Sequence, residues 1–223
     1  MVAQDFPNGL EAVFLDLDGT LVDTLPGLKS VYFKFLQAYG ITGSDDEFAQ
    51  LNGPSLVEVV ATLNQRYQLK QSSDALLTDY LALVEAMYST AVPPCPGAFA
   101  LLNRLCSRSY KLALVTSCSG KLVDSVLSGH GWRKYFTAVI TGDMIKKGKP
   151  DAQIYRTALR CVDIGAERVV AVEDSPNGVI AARDAGLNVI GVSGTADQLI
   201  QYGAFTQVPD LDSLALLLCG SSN

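Results

Sequence analysis

The chain has 223 residues, with 17 Lys and Arg against 23 Asp and Glu, a formal net charge of −6 at pH 7 and a sequence pI near 4.7. So acidic a balance excludes the clustered positive surface that a nucleic-acid backbone requires. A hydrophobic content of 48%, a charged content of 18% and a mean hydropathy of +0.22 exclude a disordered chain, and the length suits one large domain or one domain carrying an insertion.

Residues Met1 to Gly9 show no basic stretch followed by an apolar run, and no segment reaches the roughly 18 apolar residues of a membrane span, so a soluble cytoplasmic protein is expected. The first short apolar run, Ala12–Leu17, reads as a buried strand. From Leu25 to about Val92 the pattern changes: no strand is apparent, and helical periodicity appears at Leu28–Tyr39, Leu56–Tyr67 and Asp74–Tyr88. This stretch reads as a helical insertion, left at Asp23-Thr24 and closed by the stiff segment Val92-Pro93-Pro94-Cys95-Pro96-Gly97. Strand patterns then recur at Lys111–Thr116, Thr137–Ile140, Arg168–Val172 and Asn188–Val192. They alternate with helical patterns at Ala98–Ser107, Lys121–Gly129, Ile154–Cys161 and Gly178–Asp184. That alternation specifies a three-layer α/β core with a Rossmann-like parallel sheet, built from residues 1–24 and 94–223, with residues 25–93 as the helical-bundle insertion. The cysteines Cys95, Cys106, Cys118, Cys161 and Cys219 are scattered and form no CxxC, so they read as structural thiols.

Chemistry concentrates where the apolar runs end. Asp16 and Asp18 close the first one, and a buried strand end does not carry two charges without a function. In open α/β sheets that end of the strand lines the ligand crevice, and an acidic pair there can hold a divalent cation, with Gly19 permitting a tight turn. An EF-hand loop does not fit, because its first ligand position would be Phe14. Glu173 and Asp174 follow a second strand; Asp174 would complete the metal site, although an acid before Ser175-Pro176 also suits a helix N-cap. Thr116 and Ser117 lie where a third strand runs into a helix, a place for phosphate oxygens or for ordinary capping. In Lys146-Lys147-Gly148-Lys149-Pro150, the first two lysines read as solvated. Lys149 precedes a rigid residue that can open the next helix, and it could neutralise a phosphate and a nucleophile together. No Walker loop or G-x-G-x-x-G occurs, and the single histidine, His130, reads as a helix-end residue.

In chain order, Asp16-x-Asp18-Gly19-Thr20, Thr116, Lys149-Pro150 and Glu173-Asp174 resemble the four motifs of the haloacid dehalogenase-like superfamily. The helical insertion and Val172-Glu173-Asp174-Ser175-Pro176-Asn177-Gly178 resemble its phosphoglycolate phosphatase and β-phosphoglucomutase-like branch, in which the insertion is a cap domain. The resemblance implies Asp16 as nucleophile and Asp18 as general acid/base. It implies Mg²⁺ held by Asp16, Asp18 through its carbonyl, and Asp174, with Glu173 nearby. It further implies Thr116, Ser117 and Lys149 as phosphate ligands, with Thr116 and Lys149 also part of the catalytic set, and a small phosphorylated metabolite as substrate. Where the mutases of that branch carry a histidine in the first cap helix this chain has Leu28, and the Lys-Pro-x-Pro-Asp pattern is here Lys149-Pro150-Asp151. A phosphatase is thus expected ahead of a sugar-phosphate mutase or a catalytically silent binding domain. Asn52, Ser55, Arg66 and Tyr32 are candidates for choosing the substrate, and the oligomeric state is not legible.

Overall fold

The structure, a computed structural model, describes residues 9–51, 55–89, 92–194 and 198–220. They build a six-stranded parallel sheet from β1 (Ala12–Leu15), β2 (Lys111–Val115), β3 (Ala138–Ile140), β4 (Val169–Glu173), β5 (Asn188–Val192) and β6 (Thr206–Val208), in the order β3-β2-β1-β4-β5-β6. β1 is central, pairing Leu15 with Leu114 on one side and with Val172 on the other.

Alternation of side chains along each strand divides the core in two. Val13, Leu15, Leu112, Leu114, Val170 and Val172 face the layer that includes α5 (Ala98–Ser107), α6 (Gly120–His130) and α9 (Leu211–Cys219). Ala12, Phe14, Ala113, Val115, Val169 and Ala171 face α7 (Gln153–Val162) and α8 (Pro176–Asp184). This is the expected three-layer arrangement. The expected strands and helices are present with ends shifted by a few residues, and β6, α9 and a short helix at Asp45–Gln50 are additions.

Between β1 and α5 come α1 (Leu25–Ala38), α2 (Asp45–Gln50), α3 (Leu56–Tyr67) and α4 (Ser73–Tyr88), with no strand among the described residues. α4 packs on α1 and α3 and reaches α6. The outgoing and returning connections run side by side: Asp23 N donates to Pro93 O (2.9 Å), Cys95 N donates to Leu21 O (2.9 Å), and His130 at the end of α6 bonds Val92 O through Nε2 (2.8 Å). No helix among the described residues is long and apolar enough to cross a membrane.

Inside this helical unit the buried carboxylate of Glu47 accepts hydrogen bonds from Tyr32, from Tyr67 (2.7 Å) and from Arg66 (2.5 Å). Burial pushes the Glu47 carboxyl up, but these three donors together outweigh it and hold the group below its ordinary 4.5. Its contribution to stability is therefore present above pH 4.5 and is lost in acid, as pH falls through the depressed value. Glu47→Ala is expected to cost about 1–3 kcal/mol in urea unfolding, because the buried Tyr32 hydroxyl and the part-buried Tyr67 hydroxyl lose their acceptor, and Glu47→Gln to cost less. Equal stability of the alanine variant and the wild type at pH 7 would show that the cluster contributes nothing.

Candidate active site

The ends of three adjacent strands meet above the centre of the sheet. Asp16 N donates to Val172 O (3.1 Å) and Thr116 N to Ile140 O (3.0 Å), so both residues prolong the sheet pairing by one position and are held by its backbone. After Asp18 the chain turns sharply through Gly19, whose φ is +82°; a side chain there would also meet the Asp174 carboxylate, with Cβ only 2.0 Å from Oδ2. A Cβ on Gly178 would likewise fall 1.9 Å from Glu173 Oε2. The glycines let the backbone close around the carboxylates.

Asp16, Glu173 and Asp174 present carboxylate oxygens within 4.8 Å of one another. Lys149, whose side chain is 7% exposed, bridges two of them: Nζ donates to Asp16 Oδ1 (2.6 Å), to Glu173 Oε1 (2.5 Å) and to Val115 O (3.1 Å). The wholly buried Tyr155 also donates to Glu173 Oε1 and sets its ring 5.4 Å from the ammonium. Burial alone would lower the Lys149 ammonium, but Asp16 and Glu173 outweigh it and hold the group above its ordinary value. Burial, then the neighbouring acids, raises the Asp16 carboxyl against the opposing pull of Lys149. The Asp174 carboxyl is pushed up to about 7, first by burial and then by Glu173. Too many negative charges are thus confined in one small volume, a donor set that fits a hard divalent cation with oxygen ligands.

The Asp18 carboxylate is held on both oxygens. Tyr88 of α4 donates to Oδ1; the Cys118 thiol (3.0 Å) and the Thr116 hydroxyl (3.4 Å) approach Oδ2, and Cys118 N donates to Thr116 Oγ1 (3.1 Å). Asp16, Asp18, Thr116, Ser117, Lys149 and Asp174 all line one cavity of about 540 Å³ roofed by α1, α3 and α4. Glu173 lies beneath it, fully buried.

Some sequence expectations change. Neither Glu173 nor Asp174 caps a helix: Glu173 ends β4, and the N-cap of α8 is Ser175, which accepts from Gly178 N (3.1 Å) with Pro176 in the first turn. Pro150 follows a cis peptide bond and does not open α7, which starts at Gln153. Cys118 is not merely structural, since it touches Asp18, and Cys106 and Cys161 are exposed. Of the substrate-choosing candidates Ser55 reaches the cavity, whereas Tyr32 and Arg66 are engaged by Glu47. Asn52, with Gly53 and Pro54, lies outside the described residues. Tyr88, Cys118 and Tyr155 carried no local signal of their place, because their partners are 18 to 100 positions away along the chain.

A sequence profile of the family described as haloacid dehalogenase-like hydrolase matches residues 13–192. The phosphorylated carbohydrates phosphatase of Thermotoga maritima is 30% identical over 212 residues, covering 93% of this chain and 98% of that protein. The phosphoglycolate phosphatase of Rhodospirillum rubrum is 29% identical over 214 residues, covering 92% of this chain and 89% of that protein. Among solved structures, CbbY from Rhodobacter sphaeroides in complex with xylulose-(1,5)bisphosphate superposes with a TM-score of 0.79 at 26% identity, covering 92% of this chain and 96% of that one.

Proposed function

The chain belongs to the haloacid dehalogenase-like hydrolases, in the branch of phosphoglycolate phosphatases and β-phosphoglucomutase-like proteins, and on that premise we propose that it is a Mg²⁺-dependent phosphatase of small phosphomonoesters acting through Asp16. The observation that carries the reading is the Asp16 carboxylate at the end of the central strand, paired with Lys149, clustered with Asp174 and facing a cavity beside Asp18.

In this mechanism one Asp16 oxygen attacks phosphorus, the bond from phosphorus to the ester oxygen breaks, and an aspartyl-phosphate forms. Asp18, held by Tyr88, Cys118 and Thr116, delivers its proton to the leaving oxygen. It then takes a proton from the water that attacks the aspartyl-phosphate, which releases inorganic phosphate and restores Asp16. Thr116, the Ser117 amide and Lys149 hold the phosphoryl oxygens. Mg²⁺ held by Asp16, Asp174 and the Asp18 carbonyl would neutralise charge between the nucleophile and the phosphoryl group. Glu173 stays close and serves chiefly to hold Lys149, since its Oε1 already accepts from Lys149 and Tyr155. Residues 25–93 act as the cap and residues 1–24 and 94–223 as the catalytic core, the cap helices excluding bulk water from Asp16. Leu28 lines the cavity where the branch's mutases carry a histidine, which favours hydrolysis over a mutase cycle.

The test is rapid-quench mass spectrometry of the enzyme with excess ester, which should detect a covalent adduct of one HPO₃ on Asp16; steady turnover without any adduct would reject the covalent route. EDTA should abolish turnover and Mg²⁺ restore it. The acids also set a pH dependence in the metal-free protein. Asp174 has its carboxyl raised from 3.8 to about 7, so the folded state binds that proton more tightly than the unfolded chain. The associated stability is full below pH 3.8 and is lost as pH rises towards 7. Thermal unfolding in EDTA should therefore show Asp174→Asn gaining on the wild type as pH rises from 4 to 7, and Mg²⁺ should raise the wild-type Tm most at the upper end. A difference between the two proteins that is flat across this range would contradict the assignment of the raised carboxyl.

A further inference from the structure

The two ends of the cavity have opposite chemistry. Its floor, from the strand ends of the sheet and the loops that follow them, carries Asp16, Asp18, Asp174 and Lys149 with serine side chains, Asp143 and Asn177 beside them; its roof, from the helices inserted after β1, carries Leu28, Leu56, Val57, Leu77, Leu81 and Val84. Of these, Val57 and Leu81 remain 60% and 39% exposed, large apolar side chains on a wall that faces the reacting carboxylates. The roof adds only two polar side chains among the described residues, and both are engaged. Ser55 forms a capping box with Glu58, its hydroxyl donating to Oε2 (2.8 Å) and accepting from Glu58 N (3.3 Å), and the Tyr88 hydroxyl is on Asp18.

Among the described residues, no cation from the roof reaches the cavity. Asn52-Gly53-Pro54 and Thr90-Ala91, which lie outside the described residues, contain no Lys or Arg. Lys149, the one cation of the wall among the described residues, is held by Asp16 and Glu173, and Lys121 lies in a neighbouring recess, paired with Glu85 (2.8 Å). Against the roof, a second phosphate or a carboxylate on the substrate would lie on aliphatic carbon without a counter-charge from the described residues, and a polyol would meet no unengaged roof hydroxyl among them. A volume of about 540 Å³, moreover, lies in the range that encloses drug-sized ligands, far more than a two-carbon leaving group fills.

Resting on the phosphatase reading, we infer that the substrate is the monophosphate of a largely apolar alcohol, with one anionic group and an alkyl, prenyl or aryl body that packs under Leu77, Leu81 and Val57. The phosphate is read by the floor, and the body by burial alone.

The experiment is steady-state phosphate release, with Mg²⁺, from the linear alkyl phosphates between propyl and octyl, from 2-phosphoglycolate and from a hexitol phosphate. It uses wild type, Asp16→Asn and Leu81→Lys. In the wild type kcat/KM should rise by about fourfold per added methylene until the roof is filled, the value for transferring one CH₂ from water. The longer alkyl esters should exceed 2-phosphoglycolate by about a hundredfold, and Leu81→Lys should narrow that gap by tenfold or more. Asp16-dependent release that is flat along the alkyl series, or greatest for the carboxylated or polyhydroxy ester, overturns this inference and leaves the phosphatase reading standing. No Asp16-dependent release from any ester overturns both.

Discussion

The Asp16→Asn protein is expected to lose at least about four orders of magnitude in kcat/KM while remaining folded, since removal of a nucleophile leaves only binding and electrostatic positioning. An amide oxygen at this position is neutral and cannot form a stable acyl-phosphate. The fold should survive for a specific reason. Burial, followed by Glu173, Asp174 and Asp18, already disfavours a charge on Asp16, so the neutral amide relieves part of that repulsion. Lys149 loses one partner but keeps Glu173 at 2.5 Å and Val115 O at 3.1 Å, so no buried ammonium is left unpaired. Urea unfolding should place the variant within about 1 kcal/mol of the wild type, the range of substitutions that neither open a cavity nor strand a charge. Phosphate release at a tenth of the wild-type rate from such a folded variant would remove Asp16 from its role.

Lys149→Met is expected to damage both stability and turnover. Among the described residues its ammonium is the one positive charge in contact with Asp16 and Glu173, and without it these carboxylates and Asp174 remain buried within 4.8 Å of one another. Deleting one partner of a buried ion pair costs about 3–5 kcal/mol, because the surviving charge is uncompensated. The loss has a pH signature. Lys149 lowers the Asp16 and Asp174 carboxyls; without it both rise further above their unfolded values. The stability deficit should then be smallest in acid, where the carboxyls are protonated in both proteins, and should grow as pH rises through and beyond 7. Mg²⁺ should recover part of it, since the cation supplies the missing charge. Turnover should fall by about 10²–10³-fold, the range found when one electrostatic stabiliser is removed from an active site. Chemical denaturation from pH 5 to 8, with and without Mg²⁺, checks all of this; a deficit below 1 kcal/mol at every pH would mean that Lys149 does not compensate the cluster.

How much of this was legible beforehand depended on distance along the chain. The runs around β1, β2 and β4 could be read as buried strands because each is short, apolar and rich in Val, Leu or Ile, and a central parallel strand is covered on both faces. Asp16, Asp18, Thr116 and Asp174 could be read as site residues because polar groups directly after such runs must emerge at one edge of a parallel sheet. β6 was missed: Thr206-Gln207-Val208 is three residues long, half-buried and at the edge of the sheet, so no apolar pattern marks it. α2 was missed because six residues are too few to show a period, although Ser44 caps it by accepting from Glu47 N. α9 was missed because Leu214-Ala215-Leu216-Leu217-Leu218 is apolar in succession, without the polar interruptions of a one-sided helix; only its cap, Asp210, which accepts from Ser213 N at 2.7 Å, is a local signal.

By itself, then, the sequence determined the layers, the run of helices between β1 and α5 and the order of the candidate site residues, since these follow from local periodicity and from what a buried strand can tolerate at its end. Only the tertiary structure decided that Tyr88 and Cys118 would converge on Asp18, that Tyr155 and Glu173 would hold Lys149 against Asp16, and that aliphatic side chains would roof the cavity. Those arrangements join groups remote along the chain, and their geometry exists only after the helices have packed over the sheet.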